Sequence, residues 1–290
     1  MMTFSEGDAP GGLLEPGEPP AVERVPGTSG QWLIVCDHAS PCVPVRLSHL
    51  GLSESELSTH IGHDIGAAAV ARRLAKRLSA TLILSRYSRL VIDCNRYPSD
   101  PKAIPEVSDG IRVPGNCRPS NEEYGRRVDA LFRPYHRAIA SELDELMRTG
   151  GIPVFISVHS CTPSLDGQWR PWEIGFSWSA DQRTCAPLIS DLAKAGIVVG
   201  DNEPYSLDLG VDFTTPEHAL RRGLPHIQVE FRQDLVRSQI GAEQWADVLA
   251  DKILGRAGTP EWQTVQHPTG WQREVLERAP AEFRLDASHA

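Results

Sequence analysis

The sequence predicts an α/β fold, in which three α/β/α layers surround a mixed, mainly parallel central sheet. Short apolar runs rich in β-branched residues alternate along the chain with segments whose apolar residues recur every three or four positions. This alternation is typical of a mainly parallel sheet with helices on both faces. Polar residues follow several of the apolar runs, and the carboxyl ends of strands are where open α/β sheets bind ligands.

Seven apolar runs are predicted to be strands, because each is short and is bounded by polar or turn-forming residues. In chain order they are Trp32–Cys36, Thr81–Leu84, Leu90–Ile92, Val154–Val158, Ile174–Trp178, Ile197–Val199 and His226–Phe231.

Four helices are predicted, three between these strands and one after the last of them. The first follows "HIGHDIG" and has an apolar stripe at steps of three and four residues. Its members are Ala67, Val70, Ala71, Leu74 and Leu78. The second begins at Ser120, which has capping-box spacing to Glu123, and Pro134 is expected to kink it. Two more helices are predicted over about residues 181–195 and 242–254.

The 290 residues divide by composition into three parts. Residues 1–28 are rich in Gly, Pro and Glu and are predicted to be a flexible N-terminal arm. Residues 29–258 are predicted to form a single α/β domain, and residues 259–290 an irregular C-terminal tail. The 40% share of hydrophobic residues is enough for a substantial core.

Charge and cysteine usage exclude several classes of function. A formal net charge of −9 argues against a nucleic-acid-binding protein, which needs clustered Lys and Arg. No apolar run approaches twenty residues, so no membrane span is expected, and the N-terminus does not have the pattern of a secretion signal. Six scattered cysteines without a CxxC pair indicate reduced thiols and a cytoplasmic protein. A homo-oligomer remains open.

Two histidines and two acids are candidates for one site at the strand ends. His38 and His159 lie where two strands should end, Glu230 lies in the last strand, and Asp64 lies in the turn "IGHDIG". Two imidazoles and a carboxylate are a zinc-ligand set that leaves a position open for water, and a further carboxylate could act as general base.

Each of these residues also has an ordinary structural interpretation. A histidine at a strand end is commonly a hydrogen-bonded structural residue, and Asp64 could cap the helix that follows. Glu230 is harder to explain in this way, since carboxylates inside apolar strands need a partner.

The segment "SRYSRLVIDCNRYP" (residues 85–98) carries a group that could bind a carboxylate. Arg86, Arg89 and Arg96 could form bidentate contacts with it, and the Asn95 amide could complete them, although a surface arginine set is the alternative. Asp93 in the same segment could orient a metal-bound imidazole from behind.

Taken together, these segments resemble the N-formylglutamate amidohydrolase family. "DHAS", "DIGAAAVARRLA", "SRLVIDCNR", "VHSCTP", "GDNEPY" and "IQVEFRQDL" occur in the family's order over roughly residues 32–254. "IPEVSDG", "FRPYH", "RPW" and "LPH" are similar to the family's uncharacterised branch. The family is similar in fold to the zinc carboxypeptidases, so the resemblance implies a phosphorylase/hydrolase-like fold. In those enzymes an Asp-x-Asn-Arg segment grips the substrate carboxylate and a late-strand Glu activates water.

The resemblance implies a role for each matching residue. It implies one divalent metal ion, with zinc favoured, held by His38 and His159. Asp93 would support His38, Asn95 and Arg96 would hold an α-carboxylate with Arg86 nearby, and Arg89 would polarise the scissile carbonyl. Glu230 would be the base, and Tyr205 would face the substrate.

Three positions depart from the pattern. The zinc carboxypeptidases have a Glu ligand three residues after the first His, and this position is Pro41 here. The third metal ligand is therefore expected to be Asp64, with Asp37 as the reserve. If Asp37 is not a ligand, it is expected to support a metal ligand by hydrogen bonding. After "PY" this chain reads "SLD" where the family's main branch has glycines. Near "RPW" it has Glu173, an acid that is expected to disfavour glutamate as the substrate's amino acid.

The sequence therefore predicts a metal-dependent amidohydrolase that acts on a small N-acyl amino acid, with N-formyl amino acids among the candidates. A small-peptide or other amide hydrolase using the same site is the nearest alternative, because peptides also end in carboxylates. A cysteine hydrolase using Cys36 or Cys161 and a non-catalytic metal- or ligand-binding relative are two further classes.

Overall fold

The apolar runs form the strands of a central sheet. The protein is described here by a computed structural model that covers residues 12–278. Within that range the strands are β1 Val22–Val25, β2 Trp32–Cys36, β3 Thr81–Ser85, β4 Val107–Ser108, β5 Ile111–Arg112, β6 Val154–Cys161, β7 Ser164–Leu165, β8 Gln168–Trp169, β9 Ile174–Ser177, β10 Val199–Asp201 and β11 His226–Arg232.

The central sheet has the strand order β1-β3-β2-β6-β11-β9-β10 within the described residues. The pairs β3–β2, β2–β6, β6–β11 and β9–β10 are parallel, and β1–β3 and β11–β9 are antiparallel. The other strands form two small hairpins, β4–β5 and β7–β8. The predicted mixed, mainly parallel sheet is therefore confirmed.

The helices lie on both faces of the sheet. In the described part of the chain they are α1 Glu54–Leu57, α2 Ala67–Leu78, α3 Asn121–Arg127, α4 Arg133–Arg148, α5 Cys185–Lys194, α6 Gln233–Val236, α7 Gln239–Arg256 and α8 Gly270–Arg278. Helices α2, α5 and α7 pack on one face of the sheet, against side chains such as Ile34 of β2. Helix α4 packs on the other face, against Leu33 and Val35 of the same strand. Alternate residues of β2 thus face opposite layers, as a strand's period of two requires.

The predicted kink near Pro134 takes the form of a π-helical segment. Ser120 accepts a hydrogen bond from the Glu123 backbone N–H at 3.1 Å and begins α3. Residues Val128–Phe132 form a π turn, and α4 starts one residue before Pro134. Since proline has no N–H for the helical ladder, an interruption on its N-terminal side is expected.

The predicted strand Leu90–Ile92 is wrong. The three residues are fully buried in a second apolar cluster, but their backbone forms a turn in which the Val91 N–H donates to the Ser88 carbonyl at 2.9 Å. A run of three apolar residues cannot distinguish a strand from a buried loop, because both need the same side chains.

Both predicted termini are more regular than expected where the structure describes them. Within the predicted arm, β1 extends the sheet edge along β3, and Leu13 is buried in the second apolar cluster. The exposed edge of β3 needs hydrogen-bond partners, and "VERV" provides them. The predicted irregular tail contains α8. Residues 1–11 of the arm and 279–290 of the tail lie outside the described residues.

None of the helices within residues 12–278 is long and apolar enough to cross a lipid bilayer.

Arg127 fixes the loop between β3 and α3 to the body of the protein. Its side chain is buried, and it donates to the carbonyl oxygens of Val91 and Gly115 at 3.1 Å and to Asn116 Oδ1 at 2.7 Å. Burial lowers its pKa, with Glu123 acting in the opposite direction. One guanidinium thus satisfies several buried acceptors in the loop that carries Asp93.

We expect Arg127→Ala to lower the free energy of unfolding by about 3 kcal/mol, because it leaves buried acceptors without a donor. Urea unfolding followed by circular dichroism measures the change. The neighbouring Arg126, which is partly exposed and pairs with Glu122, provides the control, and Arg126→Ala should cost less than about 1 kcal/mol. Equal losses in the two variants would contradict the anchoring role of Arg127.

Candidate active site

The register of three parallel strands brings the predicted residues together. His38 lies just beyond the end of β2, and His159 lies near the end of β6. In the β6–β11 ladder His159 is paired with Glu230, so the two side chains point to the same face on neighbouring strands. The structure therefore places these three side chains at one edge of the sheet, where the sequence predicts a site.

Asp64 lies between the two imidazoles. Its Oδ2 is 3.3 Å from His38 Nδ1 and 3.0 Å from His159 Nδ1, and the ring centroids are 5.2 Å apart. The Asp64 N–H donates to the His38 carbonyl at 3.0 Å, which fixes the turn next to the strand end. Asp64 does not cap the following helix, since Gly66 occupies the N-cap position of α2.

Each imidazole has a second carboxylate on its opposite nitrogen. Asp93 Oδ1 is 2.8 Å from His38 Nε2, and Asp37 Oδ2 is 3.3 Å from His159 Nε2. The Ser157 hydroxyl is also 3.0 Å from that His159 nitrogen. Protons on both Nε2 atoms would leave both Nδ1 lone pairs directed at Asp64, the arrangement in which carboxylates orient metal-binding histidines. Asp37, the reserve ligand, lies behind His159.

The group formed by His38, Asp64 and His159 is suited to binding a cation. Burial and the charge of Arg89 lower the pKa of His38, but Asp93 and Asp64 outweigh them and raise it. Burial also lowers the pKa of His159, whereas hydrogen bonds with Asp37 and Asp64 raise it well above its usual value. The pocket thus favours positive charge on both rings. His38, Asp64 and His159 offer ligand atoms within 4.8 Å of one another, so one metal ion could replace those protons.

Glu230 is a buried carboxylate beside this group. It is 9% exposed, and among the described residues its Oε2 has no hydrogen-bond partner. Burial raises its pKa to about 7, although His159 acts in the opposite direction. A carboxylate with this pKa can accept and return a proton near neutral pH.

These residues line a cavity of about 540 Å³, large enough for an amino-acid derivative. His38, Asp64, His159 and Glu230 line its wall together with the predicted substrate-binding residues Arg89, Asn95, Arg96 and Tyr205. The structure therefore brings eight predicted site residues to one cavity.

Arg89 connects the two acids around His38. Its Nη2 donates to Asp93 Oδ2 at 2.7 Å, and its Nη1 donates to Asp64 Oδ1 at 3.3 Å. The guanidinium is about a quarter exposed toward the cavity, where it can also meet a substrate oxygen.

Asn95 lines the cavity and also holds a neighbouring loop, and its predicted contact with a substrate carboxylate stays a prediction. Its Oδ1 accepts from the backbone N–H groups of Phe213 and Thr214, and its Nδ2 donates to Asp212 Oδ1 at 3.1 Å. Arg96 Nη1 donates to the same Asp212 oxygen at 2.9 Å, and its guanidinium is about one-fifth exposed. Arg96 is therefore the better candidate for binding a carboxylate.

Arg86 and Glu173 lie away from the cavity, and both predictions about them are corrected. Arg86 pairs with Glu23 of the edge strand β1 at 3.4 Å, a partner that the predicted flexible arm did not provide. Glu173 Oε2 accepts from the exposed Val198 N–H at 2.9 Å and is not among the cavity-lining residues. Its charge therefore gives no reason to exclude an acidic substrate.

Sequence reasoning missed the groups that hold Asp37. Tyr135 of α4 and Thr214 donate their hydroxyl protons to Asp37 Oδ1 at 2.8 and 2.9 Å. Tyr135 belongs to the apolar stripe of its helix, and a buried phenol needs a hydrogen-bond partner. The need of the buried Tyr135 hydroxyl for a partner could have indicated a buried acid nearby. Thr214 offered no such indication, because its segment has no hydrophobic periodicity.

Comparisons with known proteins show what the whole chain is similar to. The profile of the family "N-formylglutamate amidohydrolase" matches residues 30–237. An N-formylglutamate deformylase of Pseudomonas aeruginosa is 31% identical over 147 residues, which cover 46% of this chain and 53% of that protein. The chain spans about half the length of the curated relatives that it matches.

Two solved structures share the fold. A gene product of Agrobacterium tumefaciens is 34% identical, with a TM-score of 0.80 over 84% of this chain and 98% of that one. An N-formylglutamate amidohydrolase from Ralstonia eutropha JMP134 is 18% identical, with a TM-score of 0.58 over 81% and 96% of the respective chains.

We expect the protein to bind one divalent transition-metal ion, and His159→Ala to weaken that binding by at least about 100-fold. Loss of a ligand should cost more than loss of an orienting partner, which typically costs 10- to 100-fold. Competition with a chromophoric chelator after dialysis measures the affinity.

His60→Ala is the matched control, because His60 lines the same cavity but pairs with Asp109 at 2.8 Å. Its metal affinity should equal that of the unaltered protein. Equal affinities in the two histidine variants would place the metal elsewhere.

Proposed function

The chain belongs to the N-formylglutamate amidohydrolase family, and from that premise we propose that it is a metal-dependent amidohydrolase acting on an N-acyl amino acid, in the first place an N-formyl amino acid. The observation that carries the proposal is the convergence of His38, Asp64 and His159 with the unpaired carboxylate of Glu230 in one cavity. Residues 29–258 are the proposed catalytic unit.

His38, Asp64 and His159 would hold the metal ion, with zinc the favoured candidate. A divalent ion supplies Lewis acidity, which makes water a nucleophile near neutral pH and polarises a carbonyl. Two imidazoles and one carboxylate leave room for water, as in hydrolytic zinc sites. Asp93 would keep the His38 ring oriented by holding the proton on its Nε2, and the Ser157 hydroxyl and the charge of Asp37 would orient the His159 ring in the same way.

Glu230 is the proposed proton carrier. It would accept a proton from water as the water attacks the amide carbonyl, and then deliver it to the departing amine nitrogen. The products are a carboxylate, formate for an N-formyl substrate, and a free amino acid. The unpaired Oε2 and the pKa of about 7 support this role, since the group must change protonation state twice in each turnover.

The two cavity arginines have separate proposed roles. Arg89 would donate to the carbonyl oxygen as negative charge develops there, since its guanidinium is already fixed by Asp64 and Asp93. Arg96 would bind the α-carboxylate with the part of its guanidinium that faces the cavity. N-formylglutamate is the first substrate to test, because the curated relatives are N-formylglutamate deformylases.

The partner is proposed to be a small molecule in a reducing, cytoplasmic setting. All six cysteines are unpaired, which supports such a setting. Oligomerisation stays a prediction.

Burial raises the pKa of Cys161 and raises that of Cys36 well above its usual value, so neither thiol is activated as a nucleophile.

We expect Glu230→Gln to retain the metal and to lower kcat at least about 100-fold, the lower end of the contribution of general acid-base catalysis. Formate release from N-formylglutamate, measured with metal content, checks this. The control is Glu173→Gln, which alters a partly buried carboxylate outside the cavity and should leave kcat unchanged. Full activity of the Glu230 variant would remove that residue from the mechanism.

A chelator should abolish formate release and a divalent metal should restore it, whereas Cys161→Ala should keep the activity. The substitution is preferable to alkylation, because Cys161 lines the cavity and an added group would block substrate entry. If the unaltered protein kept its activity in the presence of the chelator and the Cys161→Ala variant were inactive, the protein would be a cysteine hydrolase.

A further inference from the structure

Arg170 is a buried cation next to the cavity. Its side chain is 7% exposed, and no ion pair within residues 12–278 joins it to a carboxylate. Its Nη1 donates to the Thr162 carbonyl and hydroxyl oxygens at 3.2 and 3.1 Å, and its Nη2 donates to the Tyr205 hydroxyl at 2.7 Å. Burying a guanidinium without a carboxylate is costly, so its charge should serve a group nearby.

Arg170 is fixed to the ends of the two strands that carry His159 and Glu230. Thr162 directly follows β6, three residues after His159. Arg232, the last residue of β11, donates from its Nη1 to the Arg170 carbonyl at 3.3 Å. The position of the Arg170 guanidinium is therefore set by the same strands as the site.

The segment just before Tyr205 is held against the sheet at Gly175, which is paired with Glu230 in the β9–β11 ladder. A Cβ at Gly175 would lie 2.0 Å from the Glu203 carbonyl oxygen, so only glycine lets the Glu203–Tyr205 segment approach. The Ser177 hydroxyl donates to the Tyr205 carbonyl at 2.7 Å and fixes the backbone there. Tyr205 lines the same cavity as Glu230.

The direction of the Arg170–Tyr205 hydrogen bond decides what the phenol can do. A guanidinium only donates, so the Tyr205 oxygen is the acceptor in this contact. The phenol's own proton is then available to an acceptor in the cavity. The Arg170 guanidinium also lies over the Tyr205 ring, 4.9 Å from its centroid, which restricts the ring's orientation.

We propose that Arg170 is a positioning residue that holds Tyr205 as a hydrogen-bond donor to the substrate's reacting amide. This inference rests on the proposed function, and it adds a second donor to the one supplied by Arg89. The phenol keeps its proton throughout. Its hydrogen bond strengthens as negative charge develops on the substrate, so it contributes to kcat more than to KM.

A double-mutant cycle tests the proposal. Tyr205→Phe should lower kcat by at least about 10-fold with little change in KM, less than the 100-fold or more typical of a complete oxyanion-hole donor. Arg170→Gln should produce a comparable loss, and the double variant should be no worse than Tyr205→Phe alone, because Arg170 acts through the phenol. Arg170→Lys should recover part of the activity.

Tyr87→Phe is the control, because the Tyr87 hydroxyl donates to the Pro19 carbonyl, away from the cavity. It should leave kcat and KM unchanged, and unchanged melting temperatures should show that every variant is folded. Losses that add in the double variant would overturn the proposal. So would a rise in KM alone for Arg170→Gln with no effect of Tyr205→Phe, which would make Arg170 a direct grip for the substrate carboxylate.

A second measurement does not depend on activity. Burial raises the pKa of Tyr205, and the hydrogen bond and charge of Arg170 lower it. The Tyr205 titration is obtained as the difference in alkaline ultraviolet absorbance between a protein and its Tyr205→Phe variant. Arg170→Gln should raise that pKa, and an unchanged pKa would overturn the coupling. If the unaltered protein hydrolyses no N-acyl amino acid, the proposed function fails, and this titration still decides whether the pair exists.

Discussion

The contact of one carboxylate oxygen with two imidazoles is the constraint on which the site depends. Asp64 Oδ2 lies within 3.3 Å of both Nδ1 atoms, and all three side chains are buried. Such a group is stable only if positive charge is shared among its members, because burying a carboxylate alone costs several kcal/mol. Arg89 contributes part of that charge to Asp64, and a proton or a metal ion must contribute the rest.

The rigidity of the site comes from elements far apart in the chain. The carboxylate behind His159 is held by hydroxyl groups from helix α4 and from the segment after Asp212. The carboxylate behind His38 belongs to a loop that Arg127 fixes through its neighbours. Since each imidazole is bound on both nitrogens, neither ring can rotate without breaking contacts to the core.

The sequence predicted the sheet and the convergence of its strand ends well. It predicted less well which side chains form hydrogen bonds and ion pairs with one another. His38, His159 and Glu230 could be placed together because parallel strands end at a common edge, a rule that needs only the position of each apolar run. The partner of Arg86 could not be predicted, because it requires knowing that β1 lies beside β3. The loop contacts of Asn95 could not be predicted for the same reason, since its partners lie more than a hundred residues later.

Charge balance also determines which groups remain for a substrate. Arg96 and Asn95 both donate to Asp212, and the other oxygen of Asp212 accepts from the Asp208 N–H at 3.0 Å. Burial raises the pKa of Asp212, while Arg96 opposes that shift. A substrate carboxylate bound at Arg96, as proposed, would therefore share the guanidinium with an acid of the chain itself. Sharing would lower the electrostatic gain from that contact, so tight binding would require further donors besides Arg96, whereas the proposed partner of the Tyr205 phenol in the same cavity is the reacting amide.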